Sequence, residues 1–383
     1  MLGSGKQGLA AAYDLILHGR AARLTLADGN ASAARAGVRR LQILLGSKLK
    51  KHGIRLAARG VDAKNARSLR QAMDGHHAVL SAVPYYLNPF IAKTAIDAKI
   101  HYADLGGYFE STRRIMQLDA RAKKAGVTLV PDCGVAPGLC NSLAVCGMAK
   151  LDRPEEVHIY CGGLPQHPRP PLQYKIVFNL EGVLGNYFGD SYVLRNGKIA
   201  LVPAFSSQET LSFGPPLGRL EARTTGGATS TAPWTFRGLL NAYDYKTLRY
   251  PGHYEKMETL KQLGLLDTAP VRVNGFRLAP RDLFVATAGP RLAFPKDRDL
   301  LVMRVCVQGR RNGRRMQVVY DLLDYGDART GFTAMQRTTG FPAAIILALL
   351  AEGRVSRTGV VPVEKAAAAA STARSTSCAR DSG

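Results

Sequence analysis

At 383 residues with 46% apolar side chains, the chain is long enough for two domains with sizeable cores, and no apolar run reaches the roughly 20 residues that span a bilayer. A formal net charge of +23 invites a nucleic-acid role. The 52 Lys and Arg are scattered, however, with only short clusters at 48–51 and 310–315, and neither a helix-turn-helix nor an aromatic signature accompanies them. The charge is read as a solvated basic surface, with neither nucleic acid nor membrane as partner.

The chain opens on Gly3-Ser4-Gly5-Lys6-Gln7-Gly8, a GxGxxG. In a dinucleotide site the first glycine permits the tight turn, the second lets a pyrophosphate approach the backbone, and the third lets the next helix pack on the sheet. Residues 9–17 (LAAAYDLIL) read as that helix and 22–27 as the next strand. Asp28 ends the strand about 20 residues beyond Gly8, where a carboxylate accepts from the adenosine ribose hydroxyls and repels a 2′-phosphate. NAD is therefore expected before NADP. Only Met1 and Leu2 precede the loop, too few for the usual strand of about five or six residues, so either the natural start lies upstream or this copy is damaged. No signal peptide is expected ahead of such a loop.

A helix over 30–51, a strand at 54–56 followed by Val61-Asp62, a helix through Met73 and a buried strand at 78–83 come next. Pro84-Tyr85-Tyr86-Leu87-Asn88, a helix over 90–98, the strand Tyr102-Ala103-Asp104, a helix through Ala125 and the strand Val127–Val130 complete the pattern. Strands at this spacing with crossover helices give a doubly wound parallel sheet, whose ligands bind beyond the carboxyl ends of the strands. Asp62, Val83, Pro84, Tyr85, Tyr86, Asp104 and Asp132 fall on that edge. From about residue 152 strands at 157–160, 192–194, 220–224, 271–276, 300–307 and 316–322 suggest a second domain with an antiparallel sheet, Asn312-Gly313 forming a hairpin tip. The fold class is α/β: a Rossmann sheet with a truncated first strand, plus an α+β domain. The boundaries expected are 1–135, 136–335, a helix at 336–363 returning to the first domain, and a disordered tail over 364–383. Six cysteines without a CxxC pair read as reduced thiols of a cytoplasmic protein, and without zinc-spaced His or Cys pairs no metal is expected.

The motifs GSGKQG (3–8), AVPYYLN (82–88), HYADLGGYFE (101–110), VPDCGVAPGLCN (130–141), GGLP (162–165), FNLEGVL (178–184), TTGGATST (224–231) and YKTLRYPGH (245–253) occur in a consistent order. In this the chain resembles the saccharopine dehydrogenase superfamily, and within it the bacterial L-lysine 6-dehydrogenases. The resemblance implies NAD bound between a Rossmann domain and a dimerising α/β domain, a homo-oligomer, and oxidation of the ε-amino carbon of lysine to 2-aminoadipate semialdehyde with release of ammonia. It also implies an arginine, in saccharopine reductases, within the motif that here carries Glu181. A carboxylate there repels saccharopine and attracts an ammonium, unless Glu181 merely opens a helix.

Amine oxidation by hydride transfer needs the neutral amine, so a proton must leave a group whose pKa is about 10.4. Asp104 is the first candidate, as base or as counter-ion, its alternative being a backbone cap. Tyr85 is placed beside the nicotinamide by the resemblance, His101 has a near-neutral pKa suited to proton shuttling, and Arg249 suits the α-carboxylate. His253 and Cys133 complete the candidate substrate contacts, each with packing as its alternative. The remaining alternatives are a saccharopine or carboxynorspermidine reductase and a non-catalytic NAD-binding protein.

Overall fold

The computed structural model describes residues 1–368 and divides into two compact units. The first comprises Met1–Lys150, Ser230–Thr235 and the chain from Gln336; the second comprises Leu151–Thr229 and Phe236–Met335.

In the first unit helices and strands alternate: α1 (Lys6–His18), β1 (Arg23–Asp28), α2 (Ala31–His52), β2 (Arg55–Gly60), α3 (Ala66–Met73), β3 (Ala78–Ser81), α4 (Asn88–Asp97), β4 (His101–Asp104), α5 (Phe109–Met116), α6 (Asp119–Ala125), β5 (Thr128–Val130) and α7 (Leu139–Met148). Asn30 and Asn65 start α2 and α3 by accepting first-turn N–H groups on their side-chain oxygens. The single helix expected to end at Ala125 is two, because Leu118 leaves helical geometry with ψ of 0°. All the strand pairs are parallel. Leu2 stands between β1 and β3, bridging Ala27 on one side and Ser81 on the other. Ala27 N–H donates to Met1 O and Leu2 N–H to Leu80 O, so two residues occupy the central slot that a full first strand fills in a doubly wound sheet. Leu69, Ile91, Tyr102 and Leu129 are buried in the core on one side of this sheet.

The second unit contains β6 (Arg153–Pro165), α8 (Leu180–Gly185), β7 (Asp190–Arg195), β8 (Lys198–Pro203), β9 (Glu209–Ser212) and β10 (Arg219–Thr224). After α9 (Ala232–Thr235), which belongs to the first unit, follow β11 (Ala242–Arg249), α10 (His253–Gln262), β12 (Val271–Val273), β13 (Phe276–Leu278), α11 (Pro280–Leu292), β14 (Asp299–Arg311) and β15 (Arg314–Tyr325). The sheet runs β15-β14-β6-β11-β10-β9, with β7 on β11 and β8 on β7. It is mixed rather than antiparallel throughout, since β6 and β11 pair in parallel. The Asn312-Gly313 tip closes β14 on β15 in the expected register. The single strand expected over 271–276 is instead the hairpin β12-β13, because Asn274 and Gly275 both adopt positive φ, as a tight two-residue hairpin turn requires.

The chain closes with α12 (Ala334–Ala351) and β16 (Gly359–Val360), which extends the parallel sheet on β5. Helix α12 is long and apolar enough to cross a membrane by composition, but 61% of it is buried within the protein, and it packs on α1 at Gly340, where a Cβ would come 2.8 Å from Ala11 N. A disordered tail starting at 364 is corrected for its first five residues: 363–368 are helical, and Glu364 is buried, accepting from the Thr231 and Thr235 hydroxyls. The rest of that expected tail lies outside the described residues.

Candidate functional site

The glycine loop is shaped by contacts that only glycine tolerates at two of its three positions. Gly3 has φ +91°, and a Cβ on it would lie 2.5 Å from Ala82 O; a Cβ on Gly8 would overlap the carbonyl oxygen of Gly3. A Cβ on Gly5 would meet nothing within 4 Å. Gly5 is exposed at the start of α1, beside exposed Lys6 and half-buried Gln7, so the open space lies over the N–H end of a helix, where an anion is favoured. The residues present therefore fit a dinucleotide pyrophosphate. Val83 borders the loop, its Cγ1 lying 3.3 Å from a Cβ on Gly3, and Pro84 is exposed just beyond it.

Asp28, at the end of β1, holds the loop from the other side. One carboxylate oxygen accepts both Ser4 N–H and Ser4 O–H at 2.8 Å, and the other accepts Asn30 N–H at 2.9 Å. Partial burial raises the carboxyl, but the bonds from Asn30 and Ser4 prevail and hold it below its ordinary value. One lone pair remains, on the oxygen that accepts from Asn30, for a ribose hydroxyl. Asp62, by contrast, is exposed and accepts from Lys64 N–H in its own turn.

At the carboxyl edge of β4 and β5 two buried aspartates meet. Asp104 accepts Tyr102 O–H at 2.8 Å, Gly106 N–H at 2.7 Å and Asp132 N–H at 3.0 Å. It ties the loop after β4 to the loop after β5, and burial raises its carboxyl against the pull of those three bonds. Two of these three donors are backbone N–H groups, the arrangement of the backbone-cap alternative. Asp132 accepts the Thr112 and Ser230 hydroxyls, and its carboxyl is pushed up to about 7, first by burial and then by the charge of Asp104. A carboxyl raised in the folded state stabilises below its unfolded pKa and loses that contribution as pH rises through the folded one. Asp132→Asn, which suits the residue's positive φ of 63°, is expected to become more stable relative to wild type as pH rises from about 4 to 7, by a few kcal/mol. Thermal melts across that range check this; a pH-independent difference contradicts it.

Two further expectations are corrected here. His101 lies at the opposite, amino edge of β4, where its Nδ1 accepts Thr128 N–H at 3.0 Å and burial lowers its pKa; it cannot shuttle protons at the carboxyl edge. Cys133 is buried, donates its thiol to Val130 O, and is raised well above the ordinary thiol value by burial, so it is a packed thiol. Tyr85 and Tyr86 are exposed after β3, Tyr85 packing on Tyr108 with ring centroids 5.2 Å apart.

In the second unit the carboxyl end of β11 carries a chain of three polar side chains. Arg249 Nε donates to Tyr187 Oη at 2.9 Å, and Nη1 donates to Leu248 O. Tyr187 Oη lies 2.9 Å from His253 Nε2, and His253 Nδ1 lies 2.9 Å from Leu172 O. A carbonyl only accepts, so Nδ1 carries the proton, Nε2 accepts from Tyr187, and Tyr187 in turn accepts from Arg249. Burial, then the charge of Arg249, lowers His253 to about 3 and keeps it neutral. Arg249 is 5% exposed, with its guanidinium 5.0 Å from the Tyr174 ring centroid, and no carboxylate lies within 4 Å of it among the described residues. Glu181 is exposed in the first turn of the short helix α8, its N–H bonded to Asn179. Tyr187 and Thr112 carried no signal in the sequence, because each joins residues far apart along the chain.

Two family models match the chain: the saccharopine dehydrogenase NADP binding domain over residues 1–130, and the saccharopine dehydrogenase C-terminal domain over residues 134–375. The mitochondrial alpha-aminoadipic semialdehyde synthase of Rattus norvegicus is 25% identical over 372 residues, covering 78% of this chain and 39% of the synthase. The NADP(+), L-glutamate-forming saccharopine dehydrogenase of Saccharomyces cerevisiae is 26% identical over 217 residues, covering 54% of this chain and 47% of that enzyme. The chain thus spans less than half the length of these relatives. Among solved structures, the apo saccharopine dehydrogenase (L-Glu forming) from Saccharomyces cerevisiae superposes with a TM-score of 0.74 at 20% identity, over 96% of this chain and 95% of that one. This is a likeness of fold.

Proposed function

The chain belongs to the saccharopine dehydrogenase family, and from that premise we propose that it is a nicotinamide-dependent amino-acid dehydrogenase that oxidises the ε-carbon of L-lysine. The cofactor, when bound, takes up the hydride. Lysine as the neutral amine, NAD⁺ and water give 2-aminoadipate semialdehyde, ammonia, NADH and a proton: the ε C–H bond breaks with loss of hydride, the resulting iminium adds water and releases the proton to solvent, and the C–N bond then breaks to free ammonia. The observation that carries the substrate class is Arg249, a buried cation without a carboxylate partner among the described residues. Removing a charge from water costs several kcal/mol unless it is paired, so a guanidinium kept in place by Tyr187 and His253 suits a ligand carboxylate. Within the second unit the exposed Glu181 suits an ammonium. Asp104 acts as a positioning residue, bracing the loop after β4 through Gly106. A homo-oligomer and a cytoplasmic location belong to the same proposal.

NAD is the cofactor proposed, although the matched domain model is described as NADP binding. Support comes from Asp28, a carboxylate held below its ordinary pKa at the strand end where an adenosine ribose would lie. Asp28→Ala is expected to weaken NADH binding about 10-fold or more, the loss of one charged hydrogen bond, while NADPH binding changes less. Fluorescence titration checks this, and equal losses for both cofactors remove the discriminating role.

A second reading, cleavage of saccharopine to glutamate, is favoured by the names of the relatives. Product analysis separates the two. Ammonia from lysine supports the first, glutamate from saccharopine the second.

A further inference from the structure

Helix α1 begins at the glycine loop, and at its far end lies a cavity of about 490 Å³ that has no part in the site described above. Asp14, Leu15 and His18 line it from α1, Ile345 and Ala348 from α12, and Glu352 from just beyond α12. Asp14 stands roughly 13 Å along the helix from Gly5, at about 1.5 Å per residue.

Asp14 is the unusual residue. It is 5% exposed, its carboxylate makes no hydrogen bond among the described residues, and the ring of the exposed His18 lies nearby, with Nε2 3.9 Å away. Burial pushes its carboxyl up to about 6, with His18 pulling the other way. A buried carboxylate without donors is costly, and a cation relieves that cost. The last turns of α1 and α12 border the cavity with the carbonyl ends of their dipoles, which favour a cation. Glu352 and Arg354 also line it, 3.6 Å apart, so their opposite charges offset one another and Asp14 is left as the carboxylate with no Lys or Arg within 4 Å among the described residues. A hard metal ion needs six or more oxygens, and one buried carboxylate between Leu15, Ile345 and Ala348 does not supply them. The volume lies within the range of small-ligand pockets.

We propose that this cavity binds a small aliphatic amine, with the ammonium on Asp14 and the alkyl chain against Leu15, Ile345 and Ala348. The inference does not rest on the reaction proposed above.

The test uses the full chain and three probes of equal length: hexylamine, hexan-1-ol and hexanoate. Saturation-transfer NMR is expected to show saturable hexylamine binding, hexanol at least 10-fold weaker and hexanoate undetectable. Asp14→Asn is expected to weaken hexylamine at least 10-fold and leave hexanol unchanged. Ala348→Leu, which narrows the apolar wall without touching the carboxylate and keeps a good helix former in α12, is expected to weaken both at least several-fold. Because an amine could also enter a substrate site, these variants decide the outcome. Hexylamine binding that persists unchanged in either folded variant, or that equals hexanol in wild type, overturns the proposal.

Discussion

Gly8→Ala is expected to weaken dinucleotide binding about 100-fold or more, close to 3 kcal/mol, and to lower the melting temperature of the free protein. The added methyl group would overlap the carbonyl oxygen of Gly3, which is itself fixed because Gly3 N–H donates to Ala27 O at 2.7 Å. Neither atom is the end of a flexible side chain, so α1 must move off the sheet, and overpacking of this kind typically costs 1–3 kcal/mol. Gly5→Ala is the matched control: its methyl group meets nothing within 4 Å, so the free protein should melt as wild type does. Its binding of NADH should nonetheless fall, because the methyl group occupies the space open to the pyrophosphate. Calorimetric titration with NADH beside thermal melts separates the two effects. If Gly5→Ala binds NADH as wild type does, the pyrophosphate does not pass over this loop.

Arg249→Met is expected to raise KM for the amino-acid substrate about 100-fold with a much smaller change in kcat, the pattern of a lost ground-state carboxylate contact. Methionine keeps much of the arginine stem's volume between Tyr174 and Tyr187 while removing the charge. Arg249→Lys should recover only part of the loss, since an ammonium cannot present the planar fork that a carboxylate meets with two bonds. A purely structural role predicts the reverse: a lowered melting temperature with KM intact. His253→Phe extends the argument, because without His253 Nε2 the Tyr187 hydroxyl has no fixed acceptor and no longer orients Arg249.

What could be read in the sequence is what local chemistry decides. Gly3, Gly5 and Gly8 act within one turn, and Asp28 lies at the next strand end, so loop and strand were legible together. Asn312-Gly313 was legible as a hairpin tip for the same reason, and Asn274-Gly275 carries an equal signal inside a stretch taken for one strand. The site beyond the cofactor loop was less legible because its contacts are remote in sequence: Asp104 meets Asp132, Asp132 meets Ser230, and Arg249 meets Tyr187. His101 shows the limit of choosing a residue by its ordinary pKa, since it opens β4 rather than closing it. Glu364 shows the limit of composition, for an alanine-rich stretch can begin with a carboxylate buried against Thr231 and Thr235.

The central claim is best tested by following NADH formation with purified protein at a pH of roughly 9 to 10, where a substantial fraction of the lysine ε-amine is neutral, offering lysine, saccharopine and ornithine each with NAD and NADP. Turnover with lysine and NAD, above every other pair, is the result expected. Turnover confined to saccharopine with NADP contradicts both the substrate and the cofactor assigned to Glu181, Arg249 and Asp28.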